Sequence, residues 1–328
     1  MGTPRVSILV PNYNYGRFLT QAIETLLAQT LKDLEVIVID DASTDESSQV
    51  LDQYTAHPRV RIIRHAVNRG HIRSYNEGLA LARGAYVGIV SADDYCLWAD
   101  ALERQVAVFE RFPEVGMVYS AHCMLDPDGR ITRVAPRAED GVRNGLDEFR
   151  SLLWGNYILH SGTLLKRDVQ EKLGPYDPTL PQSGDWDLWL RASALSAVGY
   201  IAEPLYVYRL HRSNMQSRGI PPAQQADQNV RTLDKAFASL PPETPPDIID
   251  ARERARQHAL LQTAWFDLRN GRCSRAWAGV RHALRREPAI AANPEVHRFL
   301  ARLVLRTCLS QPRYERVLDR LRALTSPS

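Results

Sequence analysis

Residues 34–41 read LEVIVIDD, and residues 85–94 read AYVGIVSADD. Each is a short, β-branched apolar run ending in paired carboxylates, Asp40-Asp41 in the first and Asp93-Asp94 in the second. Such runs, bounded by turn or polar residues, are expected to be buried strands. A third run, LYVYRLH at residues 205–211, closes on His211. Carboxylates at the carboxyl ends of neighbouring strands make an acidic rim where open α/β sheets bind ligands. Acids gathered there repel one another unless a cation or a polar ligand compensates. Any one pair could instead cap the helix that follows, because Asp is a common cap. Three such strand ends in one chain favour a site.

Working outward, residues 6–10 (VSILV) form a first strand, followed by PNYNYG and a helix over residues 17–29. Phe18, Ala22 and Leu26 lie four apart and give that helix an apolar stripe. Ser43-Thr44-Asp45-Glu46 matches a capping box and starts a helix reaching residue 54. A strand at 60–64 and a helix at 74–82 follow. Alternating strands and helices predict a parallel sheet covered on both faces, an α/β fold. Past Asp100 the rhythm changes to a helix (101–111), a strand (116–124) and the turn Asp126-Pro127-Asp128-Gly129. Residues 146–153 read as helix and 161–165 as extended chain. Gly184-Asp185 precedes a helix in which Leu188, Arg191, Ala192 and Leu195 repeat at helical spacing.

Pro221-Pro222 and PPETPP (241–246) mark a change to purely helical patterns. Residues 264–288 (AWFDLRNGRCSRAWAGVRHALRREP) resemble one tetratricopeptide-type hairpin turning at Asn270-Gly271. Three segments are expected: an α/β domain over 1–220, a Pro-rich linker and helix over 221–250, and a helical C-terminal domain over 251–328.

A chain of 328 residues has room for two domains. No run approaches the roughly 18 apolar residues of a membrane span. The N-terminus enters a strand at once, so a secretory leader is not expected. Cys96, Cys123, Cys273 and Cys308 lack metal or disulfide spacing, which suits reduced thiols in the cytoplasm. The net charge of +3 hides an asymmetry: residues 251–328 hold sixteen Arg, no Lys and six acids, which leaves −7 for the first 250 residues. That basic segment is either a solvated helical surface or a contact for anionic membrane. It lacks a nucleic-acid-binding signature, so no nucleic-acid partner is expected.

VSILVPNYN, VIVIDDASTD, NRGHIRSYNEGL, SADD, GDWDLWLR and YRLHRSN occur in the order and spacing of family 2 inverting glycosyltransferases with the GT-A fold. The resemblance runs over residues 6–214. It implies a GT-A nucleotide-diphospho-sugar transferase fold, a mostly parallel sheet flanked by helices, followed here by an all-α C-terminal region. It further implies a nucleoside diphosphate sugar donor, UDP before GDP or dTDP, and Mn²⁺ or Mg²⁺ as cofactor. The acceptor would be a hydroxyl of a surface glycan or lipid-linked saccharide, handled in the cytoplasm or at the inner face of the membrane.

Residue by residue, the resemblance gives nucleotide binding to Pro11, Tyr13, Asn14, Asn68, Ser91 and Ala92, with Asp41, or else Asp40, reading the base. Tyr13 can line a slot for a flat base or simply fill space. Asp93 takes the metal-contacting place of an Asp-x-Asp motif whose first acid is here Ser91, a departure that removes one negative charge. A hard divalent ion needs only one or two carboxylates when phosphates and water complete its coordination. His211 matches a histidine near the diphosphate, able to complete the metal site or neutralise the leaving phosphate. Asp185 takes the position of the general base. Asp187 is expected to cap the helix or pair with Arg191. The stretch 156–163 (NYILHSGT) is expected to form an acceptor wall, with Asn156, Tyr157 and Trp186 as acceptor-binding residues.

Two other readings stay open. A nucleotidyltransferase should carry a Gly-rich basic phosphate loop, yet residues 11–17 (PNYNYGR) hold one Gly. An inactive nucleotide-sugar-binding scaffold would fit the missing first acid, though not the retention of Asp185 and His211. The donor sugar, the linkage and the oligomeric state are not legible.

Overall fold

The computed structural model describes residues 3–214, 220–309, 313–314 and 316–317. Residues 318–328 of the expected C-terminal segment and 215–219 of the expected first segment lie outside the described residues. The chain divides into two compact units: Met1–Arg218 with Ala238–Thr244, and Gly219–Phe237 with Pro245–Ser328.

In the first unit, β1 (Val6–Asn12), α1 (Gly16–Leu27), β2 (Leu34–Asp40), α2 (Ser47–Asp52), β3 (Val60–Arg64), α3 (His71–Leu81) and β4 (Tyr86–Ile89) alternate as the pattern predicts. The strands lie parallel in the order β3-β2-β1-β4. Every residue of β2 is buried, which is why it reads as an unbroken apolar run and not as an alternation. The amphipathic α1 buries Leu19, Ala22, Ile23 and Leu26 against this half of the sheet. Each fully buried Leu or Ile contributes about 1.5–3 kcal/mol.

The second half of the sheet adds short antiparallel strands to this mostly parallel arrangement. After β5 (Tyr95–Cys96) and α4 (Ala101–Arg111) come β6 (Val115–Leu125), β7 (Ile131–Arg133), β8 (Gly141–Arg143), α5 (Gly145–Leu152), β9 (Leu164–Lys166), α6 (Arg167–Leu173), α7 (Gly184–Leu195) and β10 (Ala197–Arg209). The short β9 sits between β4 and β6 and runs antiparallel to both, while β6 and β10 are parallel. β5 and β8 run antiparallel to β10, and β7 antiparallel to β6. A three-residue strand carries too little periodicity to disclose its direction.

Two local expectations also change. Ser43 does not cap α2. Glu46 holds the N-cap position, and Asp45 before it braces the turn, with Oδ1 accepting from the Ser47 N–H at 3.0 Å while Oδ2 accepts from the Gly16 N–H at 2.9 Å. Phe18 is not a core residue of α1: its ring packs 4.9 Å from the imidazole of His211.

In the second unit, helices Pro222–Ala238, Pro246–Asp250, Arg252–Arg269, Cys273–Arg286 and Pro294–Cys308 follow one another. The turn between the third and fourth uses Gly271 at φ 71°. Gly279 lets the two helices approach closely, since a Cβ there would stand 3.0 Å from that of Ala264. No described helix is long and apolar enough to cross a membrane.

Candidate active site

A cavity of about 570 Å³ opens at the carboxyl ends of β1, β2 and β4 and reaches the start of α7. Its described lining brings together Pro11, Tyr13, Asp41, Asn68, Ser91, Asp93, Asn156, Tyr157 and Asp185, residues scattered over the sequence.

Asp41 lies one residue beyond β2, held in place by the loop after β3. Its Oδ1 accepts from the Arg69 N–H and its Oδ2 from the Gly70 N–H, both at 2.8 Å. Gly70 at φ 86° makes this possible, because an L side chain rarely adopts the backbone turn that aims two successive amides at one carboxylate. His65 Nδ1 is 2.7 Å from Asp41 Oδ1, and its Nε2 is 2.8 Å from Glu77. Burial pushes the imidazole toward neutrality, but its bonds to the two carboxylates prevail and raise its pKa above the ordinary value. Asp41 is thus fixed before any ligand arrives.

Asp40 is excluded from the lining because its carboxylate is used internally: Oδ1 accepts from Asn12 Nδ2 at 2.7 Å and from the Ser43 hydroxyl. Asn14 is likewise a turn residue, at φ 59°, with Oδ1 accepting from the Thr44 N–H at 2.7 Å. Ala92 is fully buried and stands outside the lining.

The turn after β4 carries the second acidic pair. His211 Nε2 approaches Asp93 Oδ2 at 3.0 Å, and Asn214 Nδ2 donates to the same oxygen at 3.2 Å. On its other side, His211 Nδ1 lies 2.8 Å from Ser213 Oγ. Tyr15 and Phe18 clamp the ring, with centroids 5.3 and 4.9 Å away. His211 itself stands behind Asp93 and not in the lining. Asp94 points inward: it accepts from Ser161 Oγ and, at 3.0 Å, from the Arg209 N–H. Asp94 therefore ties the β4 turn to the 156–163 stretch and to β10.

Asp185 occupies the first turn of α7, which begins at Gly184 itself. The Trp186 N–H donates to Oδ1 and Asn156 Nδ2 to Oδ2, both at 2.8 Å. Burial outweighs these bonds and pushes the Asp185 carboxyl up to about 6. Asp187 faces the opposite way, in a buried pair with Arg191 at 2.7 Å. Trp186 is a correction: it is 3% exposed, its Nε1 donates to the Leu152 carbonyl at 2.9 Å, and it serves the packing of α7 against α5. A first-turn position one residue from Asp185 turns its ring about 100° away, into the core.

Sequence reasoning missed His71, Tyr75 and Tyr208 in the lining, and took in His160 only as one residue of the 156–163 wall without singling it out. His71 and Tyr75 stand four apart on α3 with rings 5.4 Å apart, a spacing visible in NRGHIRSYNEGL. His160 packs edge-on against Tyr75, Tyr176 and Trp189 and hydrogen-bonds Tyr176 Oη at 2.8 Å. Gly162, at φ 87°, lets this segment press against Tyr206, whose ring a Cβ would meet at 2.2 Å.

The parallel βαβ half thus carries, at its strand ends, a cavity with two acidic stations and a helix-borne carboxylate. The sequence profile of glycosyl transferase family 2 matches residues 7–174, and the chain belongs to that family. Among curated relatives, an uncharacterized glycosyltransferase of Nostoc sp. is 31% identical over 64% of this chain and 66% of its own length. Chondroitin synthase of Escherichia coli is 29% identical over 72% of this chain and 33% of its own. The chain thus spans between a third and two thirds of these relatives. In fold it is similar to S. aureus TarS 1-349 in complex with UDP-GlcNAc, with a TM-score of 0.66 at 18% identity over 82% of this chain and 75% of that one. A mannosyltransferase of Pyrobaculum calidifontis, solved with GDP-Man and Mn²⁺, matches with a TM-score of 0.59 at 21% identity over 96% of this chain and 83% of its own. These likenesses establish the GT-A type fold.

Proposed function

We propose that the protein transfers one sugar from a nucleoside diphosphate sugar, UDP before GDP, to a hydroxyl of a glycan or lipid-linked saccharide, with inversion at the anomeric carbon. The observation that carries this reading is the convergence of Asp41, Asp93 and Asp185 on one cavity. Asp41, with both oxygens already oriented, accepts from an N–H of the base, and Tyr13 forms the side of the base slot. Asn68 lines the same end of the cavity.

The donor set suits a divalent cation. Among the described lining residues there is no Lys or Arg, yet a diphosphate must be held next to carboxylates. Asp93 would offer a carboxylate oxygen, His211 would hold that carboxylate from behind and reach the ion only by giving up this contact, and Ser91 can hold a metal-bound water. Among the described residues no group of three or more acidic, His or Cys side chains could hold the ion by itself, so phosphate oxygens would complete the coordination. Mn²⁺ or Mg²⁺ held there would supply the positive charge that the leaving diphosphate needs.

Asp185 supplies the base. Its carboxylate takes the proton of the acceptor hydroxyl as that oxygen attacks the anomeric carbon from the face opposite the nucleotide. The anomeric carbon–phosphate oxygen bond breaks, and the nucleoside diphosphate departs with the electron pair. A positioned base of this kind typically contributes about 10²–10⁴-fold. A carboxyl that ionises near pH 6 is a better proton acceptor at neutral pH than an ordinary one while still being charged. Asn156, by its bond to Oδ2, orients this base, and Tyr157 borders the acceptor space.

A thermal-shift screen of UDP, GDP and dTDP with and without Mn²⁺ tests the reading, because a tight ligand raises the melting temperature by linkage. At least one nucleotide should stabilise the protein only when the ion is present. No shift with any of them would contradict it.

A further inference from the structure

The cavity has a one-sided charge pattern. Four of its described lining residues are carboxylates, Asp41, Asp93, Asp94 and Asp185, and none is Lys or Arg. Its three histidines do not restore the balance. Burial pushes His71, His122 and His160 below the ordinary imidazole value, His160 down to about 3. They are neutral at pH 7. Other lining residues of the cavity are aromatic or amide, such as Tyr75, Tyr157, Tyr208, Asn156 and Gln182, or aliphatic, such as Ile158. One guanidinium, that of Arg137, reaches Tyr157, but it stacks over the ring 3.5 Å from the centroid, comes from an exposed segment and does not line the cavity.

Such a wall matches the hydroxyls and C–H faces of uncharged pyranoses. A ring carboxylate or phosphate would be taken out of water beside Asp185, where none of the described lining residues is cationic; Arg209, whose Nε donates to the Asp93 carbonyl at 2.9 Å, stands at the Asp93-Asp94 end. A buried charge without a partner is costly, and a like charge beside it adds to the cost. The cation expected at Asp93 does not relieve this, because the donor's own diphosphate is there to be neutralised.

We propose, resting on the glycosyl-transfer reading above, that both sugars handled here are uncharged: the transferred ring and the acceptor ring that meets Asp185 are hexoses or N-acetylhexosamines, and uronic acids and phosphosugars are excluded.

Calorimetry in excess Mn²⁺ tests this with matched donors: UDP, UDP-glucose and UDP-glucuronate in one series, and GDP, GDP-mannose and GDP-mannuronate in the other. In the series whose nucleoside diphosphate binds, the hexuronate should bind about 10-fold or more weakly than its matched hexose, as like-charge juxtaposition demands. Equal affinity, or tighter binding of the uronate, with the bare nucleotide still binding, would overturn the exclusion and leave the transferase reading standing. If none of UDP, GDP and dTDP binds, the transferase reading falls and takes this inference with it. With an active donor in hand, a panel of neutral and uronate-bearing saccharides extends the test to the acceptor: products should form on the neutral members, and preferential transfer to a uronic acid residue would overturn the proposal.

Discussion

Asn156 Nδ2 donates to Asp185 Oδ2 at 2.8 Å, joining the stretch before β9 to the first turn of α7. The bond favours the ionised carboxylate, burial opposes it, and burial prevails, so that Asp185 ionises near pH 6. If the base must be ionised to act, kcat/KM should rise about tenfold per pH unit on the acid side of 6 and level off above it. Replacing Asn156 by Ala removes a bond to the charged form and should move that limb to higher pH. Rate profiles between about pH 4.5 and 8 read both effects, and an acid limb that Asn156→Ala leaves in place would show that the bond does not tune the base.

His65 links Asp41 to Glu77, with Arg69 Nη1 3.7 Å from Glu77 as the remaining nearby charge. The folded-state pKa of this imidazole is raised, so its stabilising contribution is complete below its ordinary value and disappears as pH rises through the raised one. Substituting His65→Gln should therefore cost about 1–3 kcal/mol at acid pH and less at alkaline pH. Denaturant unfolding at two pH values measures the difference. A cost independent of pH would mean that the imidazole is held neutral.

Asp93 and His211 meet at 3.0 Å, with Asn214 on the same carboxylate oxygen. Nucleoside diphosphate and Mn²⁺ should bind cooperatively in the native protein, by a coupling of about 1–3 kcal/mol. Asp93→Ala should abolish the coupling while leaving base recognition at Asp41 intact. Calorimetry with and without chelator is the check; nucleotide affinity unmoved by either perturbation would remove the metal from the mechanism.

Trp186 belongs to the core, not to the acceptor. Trp186→Ala should destabilise the first unit by about 3–5 kcal/mol. The milder Trp186→Phe, which loses the bond to the Leu152 carbonyl but keeps most of the volume, should leave the acceptor KM unchanged. A large KM effect in a folded Trp186→Phe enzyme would return the residue to the site.

Much of the parallel half was legible because β1, β2 and β4 are buried on both faces and so announce themselves as apolar runs. Asp41, Asp93 and Asp185 were legible because each follows such a run or opens a helix within a motif. Trp186 was not, since the sequence alone does not say which way a first-turn side chain points. Asp40 and Asp41 could be told apart only by hydrogen bonds: Asn12 and Ser43 claim Asp40, the last residue of β2, while the loop amides of Arg69 and Gly70 hold Asp41 just beyond it. His160 escaped because its neutrality and its aromatic neighbours come from α3, α7 and the segment before α7, all distant in sequence.

The assignment of Asp185 as the base is the claim on which the mechanism turns. Asp185→Asn keeps the shape of the side chain and can still accept from the Trp186 N–H, but it cannot take a proton. Steady-state turnover of the competent donor and acceptor, set beside calorimetric donor affinity for the same variant, is the most direct measurement. Donor affinity should stay near that of the unaltered protein while kcat falls about 10²-fold or more. Near-normal kcat in the folded, donor-binding Asp185→Asn enzyme would contradict the account.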